Sequence, residues 1–195
     1  FTYSIGNFPT LRCMEQIRYD ACYHGASVKI VAVGAGYAYG AQGASHHLTE
    51  DLSMLRTIPG MLVCAPADAV EARGAATFMA SHKGPGYVRL NKSGETLIHN
   101  ADVKLEIAPG KFVPIKEGEH TLVLTTGAIT NQILSELRDT HPGWALWSAP
   151  FVGAYDRKLM TTLARRFQQI VTVEEHQLNG GFGSSIVESI SDLYS

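Results

Sequence analysis

The stretch "VKIVAVGAGYAYG", residues Val28–Gly40, decides the fold. Its first half is an apolar run that ends in glycine. That is how a strand covered on both faces reads, since a one-sided strand would alternate apolar and polar residues. A glycine-rich loop follows, "GAQGASHHLTEDLSML", residues 40–55, and a helix is predicted from about Thr49 to Arg56. Thr49 is the expected N-cap, with Glu50 and Asp51 complementing the helix dipole.

The same alternation continues on both sides. Upstream, "FPTLRCMEQIRYDACYH" places Leu11, Met14, Ile17 and Ala21 at helical spacing, with Pro9 suited to the first turn. Downstream, "LVCAPA" reads as a second buried strand. Asp68 with Glu71 forms a capping-box-like start for a helix running to about His82. "GYVRLN" is a third strand. At about Lys92 the texture becomes polar and rich in turn residues, and "LEIAPGKFVPI" predicts a hairpin around Pro109-Gly110. A second strand–helix run follows through "TLVLTTG", "WALWSAP" and "QIVTVEE". It ends in the glycine loop "NGGFGSS" and a last helix whose final turn reads as "SDLYS". The expectation is α/β: two domains, each a three-layer α/β/α sandwich with a mainly parallel sheet.

Composition narrows the function. With 45% hydrophobic residues the chain can pack a core. A net charge of -2 with scattered basic residues gives no footprint for nucleic acid. No apolar run reaches the ~20 residues that span a bilayer. Cys13, Cys22 and Cys64 match no metal or redox spacing, so buried free thiols are expected, consistent with a reducing, cytoplasmic setting.

Four sites compete. Gly34, Gly36 and Gly40 hint at a dinucleotide loop, but no helix opens directly from them and no acid ends the next strand. His46 and His47 as a metal pair are disfavoured, because adjacent side chains diverge and no further ligand cluster lies near. "VTVEEHQLNGGFGSSIVESI", residues 171–190, could form an anion pocket at a helix N-terminus, but Glu174 and Glu175 would repel a phosphate, so tight strand-to-helix packing is the better reading. No Gly-x-Ser-x-Gly elbow supports a serine hydrolase. A histidine acting on a substrate has the best physical case. The loop lies where ligands gather in open α/β sheets, glycines permit close approach, and imidazole moves protons near neutral pH. Packing of the histidine against the sheet end remains its alternative.

Three blocks then carry a resemblance. "GASHHLTEDLSMLRTIPGMLVCAPAD", "GYVRLNK" and "VTVEEHQLNGGFGSSIVE" occur in the order and spacing of the transketolase-like family of thiamine-diphosphate enzymes. The resemblance implies that residues 1–93 are a pyrimidine-binding module lacking its N-terminal part. Residues 94–117 become a connector with a hairpin, and residues 118–195 a transketolase C-terminal domain with an incomplete C-terminus. It implies thiamine diphosphate and Mg as cofactors, with the Mg ligands on a diphosphate-binding module and none on this chain. That module would belong to the same protein or to a separate partner subunit, in a homodimer or heterotetramer. The family's catalytic glutamate would precede Phe1.

Residue by residue, the resemblance makes His46 the catalytic histidine near the reacting carbon. Gln42 falls where transketolases read a sugar hydroxyl with an aspartate, and His47 replaces a glutamine. Arg89 and Lys92 fall at two basic positions, the second a binder of substrate phosphate. Tyr3 and Phe8 are the candidates to pack on the cofactor's aminopyrimidine. The implied reaction is transfer of a two-carbon ketol unit between sugar or sugar-phosphate substrates by thiazolium-stabilised carbanion chemistry. A deoxyxylulose-phosphate-synthase-like decarboxylating ligase and a non-catalytic module that kept the fold are the alternatives.

Overall fold

The computed structural model describes residues 1–191, so most of "SDLYS" lies outside the described residues. Two sheets organise the chain. The first has the order β1-β2-β4-β3, with β1 (Thr2–Ile5), β2 (Lys29–Val33), β3 (Leu62–Cys64) and β4 (Gly86–Leu90) all parallel. The second has the order β5-β7-β6-β9, with β5 (Val113–Lys116), β6 (Thr121–Thr125), β7 (Ala145–Ser148) and β9 (Gln169–Val173). There β7, β6 and β9 run parallel and β5 closes one edge antiparallel to β7.

Apolar runs became strands because both faces are covered. Ala32, Val63, Cys64 and Tyr87 in the first sheet, and Leu122, Leu124, Ala145 and Leu146 in the second, are buried. Helices α2 (Asp51–Arg56), α3 (Ala69–Ser81), α4 (Ile129–Thr140), α5 (Arg157–Arg166) and α6 (Phe182–Ile190) flank the sheets. Ahead of α2 the predicted helix over Leu11–Tyr23 is a composite. A 3₁₀ turn leads into α1 (Met14–Gln16), which widens into a π-helical segment over Ile17–Tyr23. Ile17 and Ala21 turn inward as predicted, whereas Leu11 stays exposed.

The two sheets share one hydrophobic core, in which Leu52 and Leu55 of α2 join Leu122, Leu124, Met160 and Phe182. They are also joined by backbone. β8 (Phe151–Val152), from the second half of the chain, pairs antiparallel with β3 and becomes the fifth strand of the first sheet.

The hairpin around Pro109-Gly110 does not form. Ile107 is buried against α3, where Gly74 leaves no room for a Cβ beside it. Val113–Lys116 takes β7 as its partner instead. Thr49 does not cap α2 either: Glu50 occupies that position without a side-chain bond, and the Thr49 carbonyl accepts from the Gln177 N–H. Asp68 does cap α3, its Oδ1 accepting from Val70 N at 3.0 Å and Glu71 N at 2.9 Å. Of the cysteines only Cys64 is fully buried, while Cys13 and Cys22 are half-buried; all three are free. Burial pushes the Cys64 thiol well up and the Cys22 thiol up. Among the described residues no helix is long and apolar enough to cross a membrane.

Candidate functional site

Three strands of the first sheet end at one place. β1 delivers Asn7 and Phe8, β2 delivers the glycine loop, and β4 delivers Asn91 and Lys92. Carboxyl ends of parallel strands are the usual ligand side of such sheets. The loop is closed at its base by a pair of backbone bonds, Gly36 N to Leu48 O at 3.1 Å and Leu48 N to Gly36 O at 2.9 Å. Residues 37–47 therefore form a compact loop with adjoining ends, a form often recruited for function.

Rings and cations form a row along this rim. The Phe8 and His46 rings meet edge-on with centroids 5.8 Å apart. The Tyr39 ring meets His46 edge-on at 6.1 Å. The Lys92 Nζ lies 4.7 Å from the Tyr39 centroid, and the Arg12 guanidinium lies 4.7 Å from that of Phe8. His46 is half-buried, and its Nδ1 lies 3.0 Å from Ser45 Oγ. The structure thus brings Phe8, His46 and Lys92 together, with Tyr39 as the joint that the sequence reading missed. His47 has partners outside this row. Its Nε2 lies 3.2 Å from the Gly40 carbonyl and its ring meets Tyr37 at 5.1 Å, so it steadies the loop. Gln42 is exposed at the end of a short 3₁₀ turn, Gly40–Gln42.

Tyr3, 69% exposed, has other neighbours. It lines a cleft of about 290 Å³ together with Val33, Pro66, Asn91, Lys92 and Glu95. Lys92 belongs both to this cleft and to the row at His46. Glu95 sits at the cleft with its carboxylate bonded to the Asn91 amide; burial pushes its carboxyl up, against the pull of that bond.

Arg89 requires a correction. Expected on substrate, it is 2% exposed and lies between the two halves of the chain. Its Nε is 3.1 Å from Asp51 Oδ2, and its Nη2 donates to the carbonyls of Leu48 at 2.5 Å and Glu175 at 2.8 Å. Asp51, itself fully buried, also accepts from the Tyr87 hydroxyl at 2.6 Å. Burial and the neighbouring Asp51 charge push the Tyr87 phenol well up. A buried guanidinium with three such partners is a structural lock.

The glycines also acquire specific roles. Gly34 adopts φ +95°, and the Tyr39 ring fills the space a Cβ would need. Gly36 adopts φ +55° and is packed by the Glu175 side chain. These two glycines therefore serve internal packing, whereas Gly40 and Gly43 face open space. In the last glycine loop the anion pocket is filled by the chain itself. Glu174 accepts from Phe182 N at 2.6 Å and Gly183 N at 2.8 Å at the start of α6.

Asn7 is the second residue that the sequence reading did not single out. It is 8% exposed, and its Nδ2 donates to the carbonyls of Ser45 and His47, each at 2.9 Å. Its Oδ1 is buried with no hydrogen-bond partner among the described residues.

Comparison with known proteins bears on this arrangement. Residues 1–94 match the family model for the transketolase pyrimidine binding domain, and residues 110–195 match that for the transketolase C-terminal domain. The chain is 30% identical over 188 residues to a subunit of the apulose-4-phosphate transketolase of Phocaeicola vulgatus, covering 95% of this chain and 60% of that protein. It is 31% identical over 182 residues to the 1-deoxy-D-xylulose-5-phosphate synthase of Thermus thermophilus, covering 93% of this chain and 29% of that protein. A solved split gene transketolase, in an inactive β4 tetramer, superimposes with a TM-score of 0.85 at 32% identity, over 99% of this chain and 63% of that one. The chain thus spans about three-fifths of the length of the split-transketolase relatives it matches.

Proposed function

The chain belongs to the transketolase-like family of thiamine-diphosphate enzymes, and from that premise we propose that it is the pyrimidine-binding and C-terminal section of a transketolase-type transferase. The reaction is transfer of a two-carbon ketol unit between sugar or sugar-phosphate substrates. We take residues 1–93 as the pyrimidine-binding module, 94–117 as the connector and 118–195 as the C-terminal domain. A diphosphate-binding module or partner subunit, carrying the Mg ligands, completes the site in a homodimer or heterotetramer. The free cysteines support a reducing, cytoplasmic setting.

The observation that carries this reading is the row Phe8–His46–Tyr39–Lys92 at the carboxyl ends of β1, β2 and β4. The residues present fit the cofactor. Phe8 is a half-buried ring at the strand end, Tyr3 offers an exposed ring on β1, and Asn7 Oδ1 is a buried acceptor without a donor among the described residues. When bound, thiamine diphosphate serves as the electron sink for breaking a bond to the substrate carbonyl carbon.

The chain's own residues do the rest. His46 hydrogen-bonds substrate oxygens and moves a proton at its ring nitrogen. Lys92 offers a point charge to a terminal phosphate. Gln42, exposed on the same loop, reads a hydroxyl as a neutral amide, and His47 supports it from the Gly40 side. Arg89 acts on substrate only indirectly, by holding Leu48 at the base of the loop.

Calorimetry of the complete assembly with thiamine diphosphate and Mg tests this. Binding is expected only when the diphosphate-binding module is present; no heat under any condition favours the non-catalytic module. The synthase-like identity keeps a second reading in play. Product analysis separates the two, since a decarboxylating ligase releases carbon dioxide from a 2-oxo acid donor and a ketol transferase does not.

A further inference from the structure

Asn7 sits at the turn after β1, one residue before Phe8, and reaches across about forty residues of sequence to the His46 loop. Its Nδ2 spans the carbonyls of Ser45 and His47, the two that flank the histidine. A primary amide is the small side chain suited to this task. It offers two N–H donors diverging from one nitrogen, whereas a hydroxyl offers one and an ionised carboxylate none. The loop's own bonds run the other way along the chain, with the N–H groups of His46 and His47 both donating to the Gly43 carbonyl at 3.0 and 3.2 Å. The amide therefore ties the histidine segment to a different strand. Because Phe8 follows directly, one turn supplies both the ring against which His46 leans, at 5.8 Å, and the clamp that holds it there.

We propose that Asn7 is the positioning residue of His46, fixing the imidazole against Phe8 by spanning the two carbonyls that flank it. The catalytic half of this proposal rests on the ketol-transfer reading above; the structural half rests on the geometry alone. The Asn7→Ala, His46→Ala and double variants are compared in the complete assembly with a ketose donor at saturating thiamine diphosphate, so that any change in cofactor affinity drops out. The Asn7→Ala change is expected to lower kcat about tenfold with little change in KM, and to have no further effect once His46 is absent. Equal losses in both backgrounds would overturn the proposal.

A second measurement needs no activity. In ¹³C-histidine-labelled full-length protein, the His46 imidazole resonance, assigned by its loss in His46→Ala, is expected to shift and broaden in Asn7→Ala. An unchanged resonance overturns the clamp whatever the enzyme does. If the wild-type assembly transfers no ketol unit, the functional reading fails and the resonance still decides the structural one. Should Asn7→Ala not fold, Asn7→Ser, which keeps one donor, is expected to shift the same resonance by a smaller amount, and no shift there counts against the clamp.

Discussion

The Lys92 ammonium stands 4.7 Å above the ring of Tyr39, whose edge meets His46. An exposed contact of this kind contributes roughly 0.5–1 kcal/mol, enough to bias a flexible lysine toward one position. Lys92→Ala is expected to raise KM for phosphorylated substrates far more than for free sugars. Tyr39→Leu should do the same more weakly. Steady-state kinetics with matched pairs of substrates checks both, and equal effects on both substrate classes would remove Lys92 from the phosphate.

His46 touches two rings and one hydroxyl, so its removal disturbs little else. His46→Ala is expected to lower turnover by roughly 10²–10⁴, the usual contribution of a positioned acid–base group. Thiamine diphosphate affinity, measured by calorimetry on the complete assembly, should hardly change. Unaltered turnover on the true substrate would sink the assignment.

Arg89 and Asp51 are both buried, with side-chain exposures of 1% and 0%. Arg89→Ala strands the Asp51 carboxylate and is expected to cost roughly 3–5 kcal/mol of stability. Denaturant unfolding measures it. A variant as stable as wild type but weak in phosphate binding would return Arg89 to the substrate.

Gly36→Ala forces a side chain into left-handed backbone against Glu175, with the new Cβ 2.6 Å from the Glu175 Cβ. The expected loss is roughly 1–3 kcal/mol. Gly43→Ala meets open space, yet at φ +74° and ψ -165° its backbone lies in a region closed to most L residues, so strain alone should cost roughly 1–3 kcal/mol in the same thermal melt.

His99 Nε2 lies 3.2 Å from Glu71 Oε1, and that bond raises the imidazole above its ordinary value, against the opposing effect of burial. A raised folded-state value means the protonated ring stabilises the fold. That contribution is complete below the unfolded value of about 6.5 and is lost as pH rises through the folded one. The melting-temperature difference between wild type and His99→Gln should therefore be larger near pH 5.5 than near pH 8.5. A difference independent of pH would mean that the pair does not titrate in this range.

The positions of most strands were legible in the sequence, because burial on both faces demands apolar runs and the chain shows them; their order in the sheets was not. Val28–Val33 and Thr121–Thr125 are the clearest. What failed was nonlocal. The hairpin at Pro109-Gly110 lost to β7, some thirty residues downstream. Thr49 lost its cap role because Gln177 takes its carbonyl and approaches its hydroxyl at 3.4 Å. Arg89 was expected on substrate through the family resemblance alone; its partner Asp51 lies on another element, out of reach of local sequence. His46 was proposed from its loop and the family resemblance. Asn7 left no signal, since its bonds to Ser45 and His47 cross about forty residues of sequence.

The two residues of β8 have a consequence for any division of this chain. Cut within the connector, the first fragment keeps four parallel strands but exposes the backbone of β3, a largely apolar rim. Such a rim recruits strands from other molecules. The fragment ending near residue 93 is therefore expected to aggregate unless it is co-expressed with the piece that carries Phe151 and Val152. The practical unit for expression, crystallisation or transplantation between relatives is the pair of modules together.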